Sequence, residues 1–154
     1  MAKVQSYFAV ARDEQLSCPA GGQSLSSVGW FVTPTLYTDV PLSSRLWQEE
    51  IFGPVLCGHR FTDEAEAIRL ANNSDFGLVA TIVTADSMRA QRVANALAVG
   101  HVWINSVQTV FVETSWGGIK GSGIGRELGP WGLASYQSVK HVVEAVNTAL
   151  TVNL

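Results

Sequence analysis

The chain has 154 residues, the length of one compact domain, and its 47% hydrophobic and 15% charged residues suffice for a sizeable core. A net charge of -3, with ten Lys and Arg scattered along the chain, gives no electrostatic footprint for nucleic acid. No stretch is apolar for the roughly 18–20 residues of a membrane span, and the N-terminus lacks a basic region followed by an apolar signal core.

Cys18 and Cys57 lie far apart and outside any C-x-x-C pair, so they read as structural thiols of a reducing compartment, and a cytoplasmic location is expected. His59, His101 and His141 lack metal-ligand spacing, and no metal site is expected.

Residues 2–15 form the first predicted helix, with Val4, Tyr7, Phe8 and Ala11 on one face; Pro19, Gly21 and Gly22 then break the chain. A polar turn over 24–27 precedes two β-rich pieces, 30–32 and 35–37, interrupted by Pro34, which predict an irregular hairpin or edge. From Val55 the pattern alternates. An apolar run at 55–61 leads to a helix capped by Thr62 and ending near Asn72. A second run at 78–83 leads to a helix capped by Asp86 that runs through Val99 to Gly100, and a third run follows at 102–104. This β-α-β-α-β order predicts an α/β fold, mainly a parallel sheet flanked by helices. Between 117 and 132 glycine is too dense for regular structure, and a long shaped loop is expected. The last apolar run, 139–146, with Val139, Val142, Val143 and Val146, has no obvious strand to pair with inside the chain and calls for a partner.

The glycines do not meet the G-x-G-x-x-G offsets, and the chain has no G-x-x-x-x-G-K-[ST], G-x-S-x-G or H-E-x-x-H. No complete catalytic site is visible, and Glu49 and Glu50 read on composition alone as a solvated pair.

Four blocks in order change that. Glu49-Glu50-Ile51-Phe52-Gly53-Pro54-Val55, Ala71-Asn72-Asn73-Ser74-Asp75-Phe76-Gly77-Leu78, Gly100-His101-Val102-Trp103-Ile104-Asn105 and the glycine-rich stretch from Trp116 to Gly129 resemble blocks of the aldehyde dehydrogenase family. Weaker matches at 31–35 and 136–142 extend the resemblance over nearly the whole chain. The wording from Trp116 through Arg126-Glu127-Leu128-Gly129-Pro130-Trp131-Gly132-Leu133 resembles the betaine-aldehyde and aminoaldehyde dehydrogenases.

The resemblance implies covalent attack on an aldehyde by a cysteine thiolate, hydride transfer to NAD or NADP, and release of an acid. That cysteine, the dinucleotide-binding domain and the general-base glutamate lie upstream of the matched blocks in the family; neither Cys18 nor Cys57 matches the nucleophile, so no catalytic residue is assigned. Glu50 and Phe52 match the positions that hold the nicotinamide ribose and ring. Val110, Phe111 and Trp116 match the loop lining the aldehyde tunnel. Ser115 and Gly121 depart from the family, which commonly has proline at the first position and, in many members of this subgroup, a basic residue at the second.

Three expectations follow. Residues 1–137 are the C-terminal part of a catalytic domain, 138–148 an oligomerisation strand that makes the chain a homo-oligomer, and 149–154 a tail. The segment is expected to be inactive alone, without stable NAD or NADP binding. Alternatively, an N-terminal aldehyde dehydrogenase half completes it as a split enzyme, or it serves as a recruited binding or scaffold module.

Overall fold

The computed structural model describes residues 1–25, 28–106 and 108–145. Helix α1 (Ala2–Asp13) buries Val4, Tyr7, Phe8 and Ala11, the face that the three- and four-residue spacing predicts. That face packs on Tyr37, Val40, Leu46 and Ile51 to make the core cluster of the molecule. Each large side chain removed from water there contributes roughly 1.5–3 kcal/mol. Strand β1 (Ser17–Ala20) pairs antiparallel with β2 (Thr35–Thr38), and β2 pairs parallel with β3 (Val55–Cys57). Of these three strands β1 was not anticipated, because Pro19 and four exposed side chains conceal it, and the expected piece at 30–32 makes only an isolated bridge from Val32 to Ser24. A single turn of helix, α2 (Arg45–Gln48), capped by the Ser44 hydroxyl, closes this first group.

The second group begins with α3 (Glu64–Asn72). Its cap is Asp63 and not Thr62: the Asp63 carboxylate accepts from the Glu66 N–H, while Glu66 reaches back to the Thr62 N–H and hydroxyl. Strands β4 (Phe76–Gly77) and β5 (Val79–Ile82) follow, and then α4 (Ser87–Ala96), capped by Asp86 as expected. Helix α4 ends before Val99, because Leu97 has already turned to an extended ψ of 128°. Strand β6 (His101–Ile104) runs parallel to β5. The glycine-rich segment is not only a loop: β7 (Ile119–Lys120) pairs antiparallel with β4, and α5 (Gly129–Ala134) begins after Leu128. Gly100 is required here, since a Cβ on it would overlap the Gly117 carbonyl.

The α/β class holds, with parallel pairs β2–β3 and β5–β6 and helices packed beside them. Among the described residues, however, the strands form three small sheets, β1-β2-β3, β4-β7 and β5-β6, and not one continuous sheet. Among the described residues beyond Cys57 the buried hydrophobics are Leu70, Ala90 and Trp103, too few to close a core around β5 and β6. The predicted strand at 139–146 is not formed over its described part, 139–145, where Val139, Val142 and Val143 are exposed. A strand without a neighbour has nowhere to place its peptide groups except in water. Val146 and the predicted tail lie outside the described residues.

Candidate functional site

The turn between α2 and β3 sorts its side chains by direction. Glu49 is fixed by three bonds of 2.8 Å: Arg45 donates from Nε to Oε1 and from Nη2 to Oε2, and the buried Tyr7 hydroxyl donates to Oε2. The Arg45 hydrogen bonds, then that of Tyr7, lower the Glu49 carboxyl from 4.5 to about 2. Burial, followed by the neighbouring carboxylate, raises the Tyr7 hydroxyl. Ile51 is buried, and a Cβ on Gly53 would lie 2.7 Å from Val4 Cγ2, so the turn rests closely on α1. Between these anchors Glu50 and Phe52 are left exposed, and Phe52 takes a positive φ of 55°, which a bulky residue adopts only under constraint.

Glu50 lines a cavity of about 440 Å³ with Ser74, Phe76, Gly77, Gly121 and Ser122 among its walls. The β4–β7 pairing makes this cavity by bringing the second and fourth blocks together. The Ser122 hydroxyl accepts from the Gly77 N–H, and Lys120 Nζ donates to the carbonyls of Asn72 and Ser74. Apart from Glu50 and Gly121, none of these wall residues stood out for chemistry in the sequence. Their only signal was membership of the blocks, just as the i,i+4 spacing of Arg45 and Glu49 was the only sign of the anchor.

Trp116 belongs to a second cavity, of about 420 Å³, which shares Ser122 with the first. Its ring centroid lies 5.2 Å from His101 and 5.8 Å from Trp103, and its backbone forms a two-way bridge with Glu127. The stem of the preceding loop is held by Asn105, whose amide accepts from the Thr84 N–H and donates to the Thr84 carbonyl, and by Trp103, which donates to the Thr109 carbonyl. Val110 and Phe111 are exposed, 48% and 56%. Glu50 and Trp116 therefore line adjoining cavities, while Val110 and Phe111 stand on the loop surface. Both cysteines are free, burial raises the Cys57 thiol and so disfavours its thiolate, and no metal-binding group occurs among the described residues.

The sequence pattern of the Aldehyde dehydrogenase family matches residues 1–142. The chain belongs to that family. It is similar to the peroxisomal aminoaldehyde dehydrogenase 2 of Malus domestica, 46% identical over 147 residues, covering 94% of this chain and 29% of that protein. The chloroplastic betaine aldehyde dehydrogenase of Atriplex hortensis is 40% identical over the same shares of the two chains. Among solved structures, betaine aldehyde dehydrogenase from Staphylococcus aureus in complex with NAD+ superposes with a TM-score of 0.87 at 42% identity, covering 96% of this chain and 31% of that one. The NAD+ complex of aldehyde dehydrogenase from Bacillus cereus gives 0.90 at 39% identity, over 95% and 30%. The chain thus spans about 30% of the length of the relatives it matches.

Proposed function

We propose that this chain is the C-terminal part of the catalytic domain of an NAD(P)-dependent aldehyde dehydrogenase acting on betaine aldehyde or aminoaldehydes, and that it works only with the complementary part of the fold. The observation that carries this is the α2–β3 turn, where an anchored Glu49 and a buried Ile51 leave Glu50 and Phe52 exposed between them. A carboxylate offers two acceptor oxygens to a ribose diol, and an aromatic ring offers a face to a planar heterocycle, so this pair fits one end of a dinucleotide. When bound, NAD or NADP would take the hydride from the aldehyde carbon, giving the carboxylic acid after water is added.

In this reading Glu50 orients the ribose and Phe52 limits the tilt of the ring. Val110, Phe111 and Trp116 shape the aldehyde side, and Trp116 offers an aromatic face to a cationic substrate. Neither Cys18 nor Cys57 supplies the nucleophile; it comes from the complementary part. Residues 138–148 serve as the strand that joins copies once pairing is available, giving a homo-oligomer. A cytoplasmic location rests on the two unpaired thiols; relatives named peroxisomal and chloroplastic give the alternatives for a localisation test.

The test is absorbance at the reduced-nicotinamide band with betaine aldehyde and NAD or NADP. The chain alone gives no reduction. Mixed with the part of the Malus domestica enzyme outside its matched segment, it gives reduction that falls when Glu50 or Phe52 is changed to alanine, chiefly through a higher KM for NAD. Reduction by the chain alone that disappears in Cys18→Ala or Cys57→Ala would replace this reading.

A further inference from the structure

We propose that His101 is a positioning residue for the aldehyde: with Trp103, its ring fixes the indole of Trp116 and so sets the preference of the completed enzyme for a cationic over a neutral aldehyde. The proposal rests on the reading of Trp116 as part of the aldehyde side and deepens it by naming the side chain that orients it. His101 and Trp103 are two residues apart on β6, so both side chains leave the same face of the strand. A Cβ on Gly100 would overlap the Gly117 carbonyl, and this close approach sets the neighbouring residues, His101 and Trp116, side by side. The ring centroids of His101, Trp103 and Trp116 form a triangle with sides of 4.6, 5.2 and 5.8 Å, with interplanar angles from 40° to 53°. Aromatic rings favour such tilted arrangements over a face-to-face sandwich.

His101 acts on Trp116 from behind. The His101 and Trp103 centroids are nearer to each other than either is to Trp116, so both rings stand on one side of the indole. Trp116 lines the cavity of about 420 Å³, whereas His101 and Trp103 are not among its described walls. A ligand there meets the indole and not the imidazole. The rings also differ in how they are held. Trp103 is buried, and its Nε1 donates to the Thr109 carbonyl at 2.8 Å. The backbone of Trp116 is fixed by its bridge to Glu127, at 2.7 and 2.8 Å, but a bridge through peptide groups leaves the χ angles of the side chain free. Packing against His101 and Trp103 supplies that restraint. The charged residues of the cavity wall are Arg126 and Glu127, one of each sign, and Arg126 Nη1 already donates to the carbonyls of Gly118 and Gly125. Their formal charges cancel, which leaves the face of a correctly oriented indole to distinguish a cation from a neutral group of the same shape.

The experiment compares the full-length chain with His101→Ala and His101→Phe in two readouts. The first is far-ultraviolet circular dichroism of the chain alone, where two indoles 5.8 Å apart give an exciton couplet, assigned to this pair by its loss in Trp116→Phe. The second is the KM for betaine aldehyde and for its neutral isostere, with carbon in place of the quaternary nitrogen, in the mixture with the part of the Malus domestica enzyme outside its matched segment. The expected couplet weakens in His101→Ala and returns in His101→Phe. The KM for betaine aldehyde rises about tenfold in the alanine variant and recovers with phenylalanine, while those for the isostere and for NAD change by less than about twofold. His101→Gln, which keeps a polar side chain without a ring, takes the place of the alanine variant if that one does not fold. A couplet indifferent to His101, or two aldehydes affected equally, overturns the proposal, while reduction by the parent mixture leaves the functional reading intact. Absence of reduction by the parent mixture overturns the functional reading and the specificity role with it, whatever the couplet does.

Discussion

Glu49 and Glu50 are neighbours of the same type with opposite surroundings. Bonds from Arg45 and Tyr7 fix the first, and the second faces an open cavity. Because the Glu49 carboxyl is held near 2 against an ordinary 4.5, the stability it contributes is complete above about 4.5 and is lost as pH falls toward 2. Glu49→Gln should therefore lower Tm at neutral pH and flatten its pH dependence over that acid window; thermal scans of both proteins from neutral to acid pH check this. An unchanged acid limb would show that other carboxylates dominate. Phe52 gives the opposite case. Its φ of 55° is costly for an aromatic residue that is 83% exposed, so Phe52→Gly should stabilise the isolated chain by about 1 kcal/mol in urea melts while weakening nicotinamide binding in the completed enzyme. Strain held at an exposed ring is consistent with a position kept for a ligand.

At the scale of elements, legibility followed locality. Helices α1, α3 and α4 could be read because apolar spacing, and for α4 the Asp86 cap, are properties of a few consecutive residues. Asp63→Ala and Asp86→Ala should each lower the midpoint of chemical denaturation, because each leaves a first-turn N–H of its helix without an acceptor. Leu46→Ala, which opens the core where α2 meets α1, should cost about 3 kcal/mol. Strands depend on what lies beside them. β1 was hidden by Pro19, β7 is two residues inside a glycine-rich tract, and the expected strand at 139–146 is not formed over its described part, 139–145. The candidate site divided in the same way: Glu50 and Trp116, singled out through their blocks, line adjoining cavities, whereas Ser74, Phe76 and Ser122 became wall residues only when β4 met β7.

For the whole molecule, the distribution of the core matters more than its size. The cluster around α1 gives the first group a core, although Trp30, Phe31 and Leu56 stay exposed there, while the second group has no comparable cluster among the described residues and leaves Val83, Met88, Trp131 and Leu133 largely exposed. Exposed apolar residues make a binding surface only where they form a contiguous patch. A hydrophobic dye should fluoresce with the folded chain, and adding the complementary part should displace it; a silent dye would mean that the apolar residues are too dispersed to form a binding patch. The first group should also outlast the second on heating, with amide exchange slower in α1 than in α4.

Asn72 carries a consequence of another kind, on the timescale of storage. Its amide oxygen accepts from the Ala98 N–H at 2.7 Å and its amide nitrogen donates to the Ala96 carbonyl at 2.8 Å, so one side chain closes the end of α4 against the end of α3. Deamidation would replace the donor with a second acceptor and set a carboxylate against that carbonyl. An ageing preparation would then loosen where the two helices meet, and the change would register as a new acidic species before any loss of mass or cleavage.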